Sequence, residues 1–241
     1  MLSRCRAWLV YQGYSQEINS NCLEAFGVDD KSIGYWQYHI PAGQGENVLI
    51  TAKLAMIAGE NAIRLTFSRR PVKPNLAMLD DRKAVKLIVR PDLENRSFHD
   101  ITKAYRGPEH HWPESISVTA SGFGFHPDKK HHLHMEISAG NFIREPEWQY
   151  MVHHSMDAER GMDPNSDLYS PGYFCGDLEG NQEVVLTAAI TINQNSSIPT
   201  VSEHRQPAKR FEFENDIRRT PPEVLKSSLN HYIANRGALK T

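Results

Sequence analysis

The sequence contains no long apolar segment and no marked excess of charge of either sign. Its 241 residues include 27 Lys and Arg against 29 Asp and Glu, which gives a formal net charge of −2. No run approaches the roughly 20 apolar residues of a transmembrane helix, so we expect no membrane partner. A near-neutral chain also lacks a general basic surface, which argues against nucleic acid as a partner.

Cysteine is scarce as well. Cys5, Cys22 and Cys175 are the three cysteines of the chain, and no C-x-x-C pair occurs. This spacing excludes a disulfide framework and argues against a structural zinc site, so we expect free, buried thiols. A short apolar stretch at residues 7–10 ends before it reaches the length of a signal peptide. Together these features predict a cytoplasmic protein.

Three familiar motifs are missing from the sequence: G-x-S-x-G, G-x-x-x-x-G-K and G-x-G-x-x-G. Their absence argues against a hydrolase nucleophile elbow, a phosphate-binding loop and a dinucleotide-binding fold. The segment Gly122-Phe123-Gly124 is a lone G-x-G, which we interpret as a turn.

What the chain does contain is a repeated alternation of apolar and polar residues. Pro, Gly and Asn separate the alternating runs, and a period of two is typical of half-buried β-strands. The runs occupy residues 35–40, 48–52, 62–68, 85–89, 115–119, 132–138 and 184–191. We therefore predict an all-β fold, a large two-sheet sandwich over residues 1–200 with on the order of a dozen strands.

The pattern changes near the C-terminus. Residues 201–219 predict a linker and residues 220–237 a helix, because Thr220 can cap a helix, Pro221 suits its first turn and Gly237 its end. Two interpretations stay open. The helix leads into a helical domain that this chain lacks, or it packs back onto the sandwich.

Histidines are clustered along the sequence. On a strand, His132, His134 and Glu136 would share one face, since residues two apart point the same way. Two imidazoles and a carboxylate could hold a transition metal, but solvent-facing strand residues are the simpler interpretation. We predict no metal and no cofactor.

Acidic and aromatic residues concentrate in segments that we interpret as loops or their borders. Trp112, Trp148, Tyr150 and Tyr169 lie near acidic residues such as those at 157–167. Flat rings beside hydrogen-bonding groups suit sugars, whose C–H faces stack on rings while their hydroxyls take polar partners. The alternative is that the rings cover one end of the sandwich and that Glu159 and Arg160 form a structural ion pair.

Several segments, taken in order, resemble the N-terminal domain of bacterial and archaeal glycogen debranching enzymes of the amylo-α-1,6-glucosidase type. The most specific are Glu159-Arg160-Gly161-Met162-Asp163 and Asp167-Leu168-Tyr169-Ser170-Pro171-Gly172-Tyr173-Phe174. The resemblance covers residues 33–192. The opening of the chain departs from the family, because Trp8-Leu9 is not followed by a Thr-Arg-x-x-His-Gly element.

The resemblance implies a β-supersandwich similar to galactose mutarotase and to the N-terminal domain of bacterial glucoamylases. In that family the domain precedes an α/α toroid that carries the catalytic carboxylates. The resemblance also implies two partners. One is α-glucan, as glycogen or maltooligosaccharides, and the other is a toroid domain, joined in cis or bound in trans. The parent reaction is hydrolysis of α-1,6 branch linkages, and the resemblance places no catalytic residue in this chain.

On this basis we expect nine residues to take part in glucan binding. Aromatic residues would form the wall of a cleft, and charged residues would order loops or bind hydroxyls. They are Trp112, Trp148, Tyr150, Tyr169, Arg96, His99, Glu159, Arg160 and Asp167.

Two rival functions stay open at this point. A stand-alone mutarotase-like epimerase would use His99 or His134 with Glu159 as acid and base. An assembly module would dock a separate catalytic chain through its C-terminal helix.

Overall fold

The computed structural model describes residues 1–29, 32–72, 77–97 and 100–192, together with residues 222, 235, 236, 239 and 240. The strands in chain order are β1 (Leu2–Tyr11), β2 (Tyr14–Glu17), β3 (Leu23–Val28), β4 (Gly34–Gly43), β5 (Glu46–Met56), β6 (Ala62–Arg69), β7 (Val85–Leu93), β8 (Ile116–Val118), β9 (Gly122–Phe125), β10 (His131–Ile137), β11 (Asn141–His153), β12 (Asn165–Leu178) and β13 (Glu183–Ile192). Two further short strands, β14 (Asn235–Arg236) and β15 (Leu239–Lys240), pair with each other.

Helices are short and few in the described part of the chain. The α-helices are α1 (Pro108–His111) and α2 (Ser155–Glu159), and 3-10 turns occupy Ser20–Cys22, Ala104–Arg106 and Pro113–Ser115. None of the described helices is long and apolar enough to cross a membrane. The predicted linker and the predicted helix at 220–237 fall almost wholly outside the described residues and stay predictions.

The strands form two antiparallel sheets that pack face to face, which confirms the predicted sandwich. One sheet has five strands in the order β11-β12-β7-β1-β2, and the other has eight in the order β3-β4-β5-β6-β13-β10-β9-β8. Across the interior, β11 faces β9 and β10, while β1 and β2 face β4.

Alternation along the strands fills the space between the sheets. On β10, Leu133 and Met135 are buried in the core, while His132, His134 and Glu136 lie on the outer face and are half-buried. The predicted shared face of these three polar residues is thus confirmed. Removing the apolar positions from water stabilises the fold by about 1.5–3 kcal/mol for each large side chain.

Two regions differ from what the sequence predicts. Gly122–Phe125 is strand β9 and not a turn, because Phe123 and Phe125 point into the core while the glycines take the outer positions. Trp148 and Tyr150 lie within strand β11 and Tyr169 within strand β12, whereas the sequence places these rings in loops or at their borders.

One end of the sandwich is closed by Arg69, a buried cation at the end of β6. Burial lowers the pKa of its guanidinium. That group donates hydrogen bonds to the backbone carbonyl oxygens of Lys83, Leu178, Leu79 and Asp80. Since Leu178 is the last residue of β12, this cluster lies at one end of that strand, and the candidate site lies at the other.

The three cysteines are all free, as predicted. Cys22 is buried, and Cys5 and Cys175 are half-buried.

Candidate functional site

The first residues of β12 connect two loops at one end of the sandwich. Asp167 is buried, and its two carboxylate oxygens accept hydrogen bonds from the backbone. The N–H of Met151 donates to Oδ1 at 2.9 Å, and the N–H of Ala104 donates to Oδ2 at 2.8 Å. These two hydrogen bonds tie Asp167 to the backbone of two loops, at Met151 and at Ala104.

Ser166 connects the preceding loop to the same strand. Its hydroxyl donates to Oε1 of Glu94 at 2.6 Å and accepts from the N–H of Thr102 at 2.9 Å. Lys103 adds a hydrogen bond from Nζ to the carbonyl oxygen of Asn165 at 2.8 Å. The segment at 102–104 therefore runs alongside the start of β12, and side chains rather than a regular ladder fix much of its position.

Three aromatic rings stack in a row at this end, and we call them the ring ladder: Trp112, Trp148 and Tyr150. The first two ring centroids are 5.4 Å apart with an angle of 22° between planes, and the next two are 6.3 Å apart with an angle of 20°. Trp112 is only 5% exposed, Trp148 is half-buried and Tyr150 is 56% exposed. The ladder thus leads from the core to the surface.

Tyr169 lies beneath this ladder in the core. Its ring packs against Trp148 at 5.1 Å, Trp112 at 6.3 Å and Phe125 at 6.5 Å. Burial raises the pKa of its phenol, and within the described part of the chain its hydroxyl has no hydrogen-bond partner. Trp112 and Tyr169 therefore do not form the open wall that we predicted, because both occupy inward positions that the facing sheet covers.

Two tyrosines remain open at the surface. The hydroxyl of Tyr150 donates to Oε1 of Glu109 at 2.9 Å, and this bond raises the pKa of the phenol. Tyr105 is 71% exposed. Each lies next in sequence to a residue whose N–H binds Asp167, so one carboxylate fixes the backbone beside both rings.

Met151 marks the same place by an unusual backbone angle. Its φ is +57°, which is rare for a residue with a side chain, and the β11–β12 register shifts between Gln149 and Val152. The hydrogen bond from Met151 to Asp167 offsets part of this strain. We call the exposed ring of Tyr150, with Trp148 stacked behind it and Glu109 beside it, the open platform.

Arg96, another predicted site residue, orders the loop after β7. Its Nε lies 3.1 Å from Oε1 of Glu94 and its Nη2 lies 3.2 Å from Oδ2 of Asp157. Its Nη1 donates to the carbonyl oxygen of Asp100 at 2.6 Å. A cleft of about 300 Å³ opens beside this group.

The remaining predicted residues are more scattered. Glu159 and Arg160 are exposed at the end of α2. His99 lies outside the described residues. His134 lies on the outer face of the eight-stranded sheet, and its Nε2 is 3.8 Å from Oε2 of Glu136. Glu159 belongs to the helix between two strands of the other sheet, so the structure does not bring together the pair His134 and Glu159 of the epimerase hypothesis.

The histidines of the outer face bond to one another. Nδ1 of His126 lies 2.6 Å from Nδ1 of His132, and Nε2 of His126 lies 3.4 Å from the hydroxyl of Ser117. Burial, followed by the neighbouring His132 and His134, lowers the pKa of His126. Among the residues that the structure describes, no group of three His, Cys, Asp or Glu side chains is arranged to hold a metal ion.

Several residues of the site were not singled out from the sequence: Tyr105, Glu109, Glu94 and Ser166. Glu109 contacts Tyr150, and Ser166 contacts Glu94, and in both pairs the two residues are far apart in the chain. Asp157 was part of the acidic segment but carried no assigned role. Its position in that acidic segment is the one sequence signal that could have indicated Asp157 as a site residue.

Comparisons with known proteins give one family and a set of distant structures. A profile described as glycogen debranching enzyme N terminal matches residues 1–185. A search of curated proteins gives no match. The match begins at residue 1, so the divergent opening of the chain falls within it.

Two solved structures illustrate the distant similarity. One is a protein described as a kojibiose phosphorylase from the human microbiome, with 11% identity and a TM-score of 0.40 over 79% of this chain. The other is a polysaccharide lyase, with 9% identity and a TM-score of 0.37 over 80% of this chain. The matched regions are 22% and 26% of those two chains.

Proposed function

Because the chain belongs to the family of glycogen debranching enzyme N-terminal domains, we propose that it is the non-catalytic, α-glucan-binding and scaffolding part of such an enzyme. The parent activity is hydrolysis of α-1,6 branch linkages in glycogen. The acid and base carboxylates of that reaction belong to an α/α toroid domain, joined in cis or bound in trans. Free thiols at all three cysteines suit a cytoplasmic enzyme.

The open platform is the observation that carries this proposal. Tyr150 presents its ring at the surface with Trp148 stacked behind it, and Glu109 supplies a carboxylate beside the phenol. A glucose ring can lay its C–H face on such a surface while its hydroxyls bond to the phenol and the carboxylate. Asp167 holds the backbone next to Tyr150, so the platform is fixed before a ligand arrives.

The scaffolding part of the proposal follows from the packing beneath the platform. Trp112 and Tyr169 are buried and contact Trp148 from below. The exposed ring of Tyr150 therefore rests, through Trp148, on core residues of the sandwich. A platform that does not have to be ordered on binding keeps more of its contact energy as affinity.

A binding experiment tests the platform directly. We expect Tyr150→Ala and Trp148→Ala to weaken binding of maltoheptaose, measured by isothermal titration calorimetry, by about tenfold each, the effect of losing one aromatic contact. Tyr14→Ala is the matched control, because Tyr14 is a similarly exposed tyrosine of β2. Circular dichroism should show an intact fold in all three variants.

Two outcomes would contradict the proposal. Unchanged maltoheptaose binding in the folded double variant of Trp148 and Tyr150 would remove the platform as the binding surface. No binding of maltoheptaose or glycogen by the wild-type chain, together with co-purification of a toroid-bearing protein, would instead favour the assembly module.

A further inference from the structure

A line of three polar side chains crosses the outer face of the eight-stranded sheet. Ser117 lies on β8, His126 directly follows β9, and His132 lies on β10. Nε2 of His126 lies 3.4 Å from the hydroxyl of Ser117, and Nδ1 of the same ring lies 2.6 Å from Nδ1 of His132. The line therefore connects two imidazole rings to a hydroxyl group at its end.

Strand pairing brings the two histidines together. Phe125 of β9 is opposite Leu133 of β10, and both side chains point into the core. Since neighbouring residues on a strand point to opposite faces, His126 and His132 point outward side by side. Nε2 of His132 is buried and has no hydrogen-bond partner within the described part of the chain, so no competing bond turns this ring away from His126.

A glycine makes room for the contact between the hydroxyl and the first imidazole. Gly124 is opposite Ser117 in the β8–β9 pair. A Cβ at Gly124 would lie only 2.6 Å from Oγ of Ser117 and 2.8 Å from Nε2 of His126. The hydroxyl and the ring nitrogen thus converge over a position that carries no side chain.

The hydrogen bonds of the line suit a base that acts on the hydroxyl. Two imidazole nitrogens 2.6 Å apart share one hydrogen, and we assign it to His126, which donates to His132. Nε2 of His126 then turns its lone pair toward Ser117. The lowered pKa of His126 keeps this ring uncharged at neutral pH, so the lone pair is available.

This is the arrangement by which a serine becomes a nucleophile: a hydroxyl, an imidazole within hydrogen-bond reach of it, and a third group that orients the imidazole. The separation of 3.4 Å is long, as is common for catalytic hydrogen bonds in the absence of substrate. Ser117 is exposed, so a substrate can approach its hydroxyl.

A backbone donor lies next to the hydroxyl. Strand β8 is the last strand of its sheet, and the hydrogen bonds of Ser115 and Thr119 run to β9. By the alternation of an antiparallel pair, the N–H of Val118 is directed away from β9. This N–H belongs to the residue after Ser117, where it can donate to the carbonyl oxygen of a substrate that Ser117 attacks.

We propose that Ser117, His126 and His132 form a second site, which hydrolyses small carboxylic esters. Esters are favoured over amides because an alcohol leaves more readily than an amine when one backbone donor stabilises the intermediate. A small acyl group is favoured because an open sheet face buries little of a long one. The reaction does not act on glycosidic bonds, so it is additional to the proposed glucan binding.

The reaction has two steps. Oγ of Ser117 bonds to the carbonyl carbon while its hydrogen passes to Nε2 of His126, and the bond to the leaving alcohol breaks as His126 returns the hydrogen to that alcohol. Water, which gives a hydrogen to His126, then hydrolyses the acyl group from Ser117, releases the carboxylic acid and restores the hydroxyl. His132 is a positioning residue, because it contacts no reacting atom and holds the ring of His126.

The experiment uses p-nitrophenyl acetate with the full chain and follows both the release of nitrophenol and the acetyl group by peptide mass spectrometry. We expect an acetyl group on Ser117 in wild type. Ser117→Ala and His126→Gln should each lower the rate by about 100-fold or more, the effect of losing the nucleophile or the base. Ser15→Ala is the matched control, because Ser15 is an exposed serine of β2, and circular dichroism checks the fold of each variant.

Two variants separate positioning by His132 from simple packing. His132→Asn keeps an acceptor beside His126, whereas His132→Leu fills the same space without one. We expect His132→Asn to be about tenfold faster than His132→Leu, the effect of one hydrogen bond. Equal rates in the two variants would overturn the positioning role of His132.

Other outcomes would overturn the site itself. If hydrolysis persists in Ser117→Ala but falls in His126→Gln, the imidazole attacks the ester directly and Ser117 is not the nucleophile. If wild type carries no acetyl group on Ser117 and is no faster than free histidine, the site does not exist. Maltoheptaose binding is measured on the same variants and should equal that of wild type, so failure of the esterase and failure of the proposed glucan binding are distinguishable.

Discussion

Each end of the sandwich is closed by one buried charged side chain that bonds to backbone, and the end with Asp167 also carries the open platform. At one end of β12, Arg69 donates to four carbonyl oxygens. At the other end, Asp167 accepts from two N–H groups. Each charge holds together chain segments that no regular sheet connects.

The difference lies in what surrounds each buried charge. Arg69 is enclosed by the backbone of residues 79–83 and 178, and its contacts are all internal. Asp167 is next to the exposed ring of Tyr150, to the strained Met151 and, through Ser166, to the cleft beside Arg96. A buried charge alone therefore indicates a loop that needs fixing. A buried charge beside open, prepositioned groups indicates a site.

The largest expected effect is a loss of stability at the end of the sandwich that Arg69 closes. Arg69→Met should lower the free energy of unfolding by about 4 kcal/mol, because four carbonyl oxygens, two in buried and two in part-buried hydrogen bonds, lose their donor at about 1 kcal/mol each. Urea denaturation followed by tryptophan fluorescence measures the change. Arg82→Met is the control, since Arg82 is exposed and pairs only with Asp80, and its curve should overlay that of wild type.

The comparison predicts that this variant keeps its affinity for glucan at a temperature where it is folded. If Arg69→Met weakened maltoheptaose binding as strongly as Tyr150→Ala does, the two ends would not be functionally distinct.

At the open end, Asp167→Ala should cost stability and binding together. We expect the free energy of unfolding to fall by about 2–3 kcal/mol, because the buried N–H of Ala104 and the part-buried N–H of Met151 lose a charged acceptor. Maltoheptaose binding should weaken as well, since the backbone next to Tyr150 is no longer held. Asp177→Ala, on the same strand but exposed and paired with Lys86 at 3.6 Å, should change neither quantity. If folded Asp167→Ala bound maltoheptaose with full affinity, the platform would not depend on the carboxylate of Asp167.

The sequence predicts some of the strands and some of the site residues, and there are physical reasons why it does not predict the others. Strand β10 is readable because its apolar and polar residues alternate. Strand β12 cannot be recognised in this way, because residues 166–172 are all buried and therefore show no alternation. In addition, Pro171 and Gly172 suggest a break in the strand. The ring-rich segment was identified, but which rings are covered depends on the facing sheet.

Sequence patterns alone cannot identify the cleft beside Arg96. Glu94 is tens of residues away from both Asp157 and Ser166, and their meeting depends on the pairing of β7 with β12. Asp167 was predicted from a family motif, whereas its two backbone partners could be known only from the fold.

The open end is also the end that should respond to mild acid. His126 follows Phe125, whose ring packs on Trp112 and Tyr169, and its pKa is lowered by burial and by His132 and His134. The unfolded chain, with an ordinary histidine pKa of about 6.5, then binds more protons than the folded chain. The free energy of unfolding should therefore fall as the pH drops below about 7 and should level off below the folded pKa.

Urea denaturation at several pH values tests this, with His126→Gln as the variant. The variant should show a shallower loss of stability between pH 7 and the folded pKa, and the exposed His110→Gln should follow wild type. An unchanged slope in His126→Gln would assign the acid response to other groups.

The smallest expected effect concerns Tyr169, whose buried hydroxyl has no partner within the described part of the chain. Tyr169→Phe should leave the free energy of unfolding unchanged or raise it by up to about 1 kcal/mol, because no hydrogen bond is lost and an unsatisfied polar group is removed. Tyr35→Phe is the matched comparison. Tyr35 is also buried, but its hydroxyl donates to Oδ2 of Asp29 at 3.1 Å, so its loss should cost about 1 kcal/mol. If Tyr169→Phe were the more destabilising of the two, the hydroxyl of Tyr169 would have a bound water as its partner. The space beneath Trp148 would then be polar, although the rings around it indicate an apolar support.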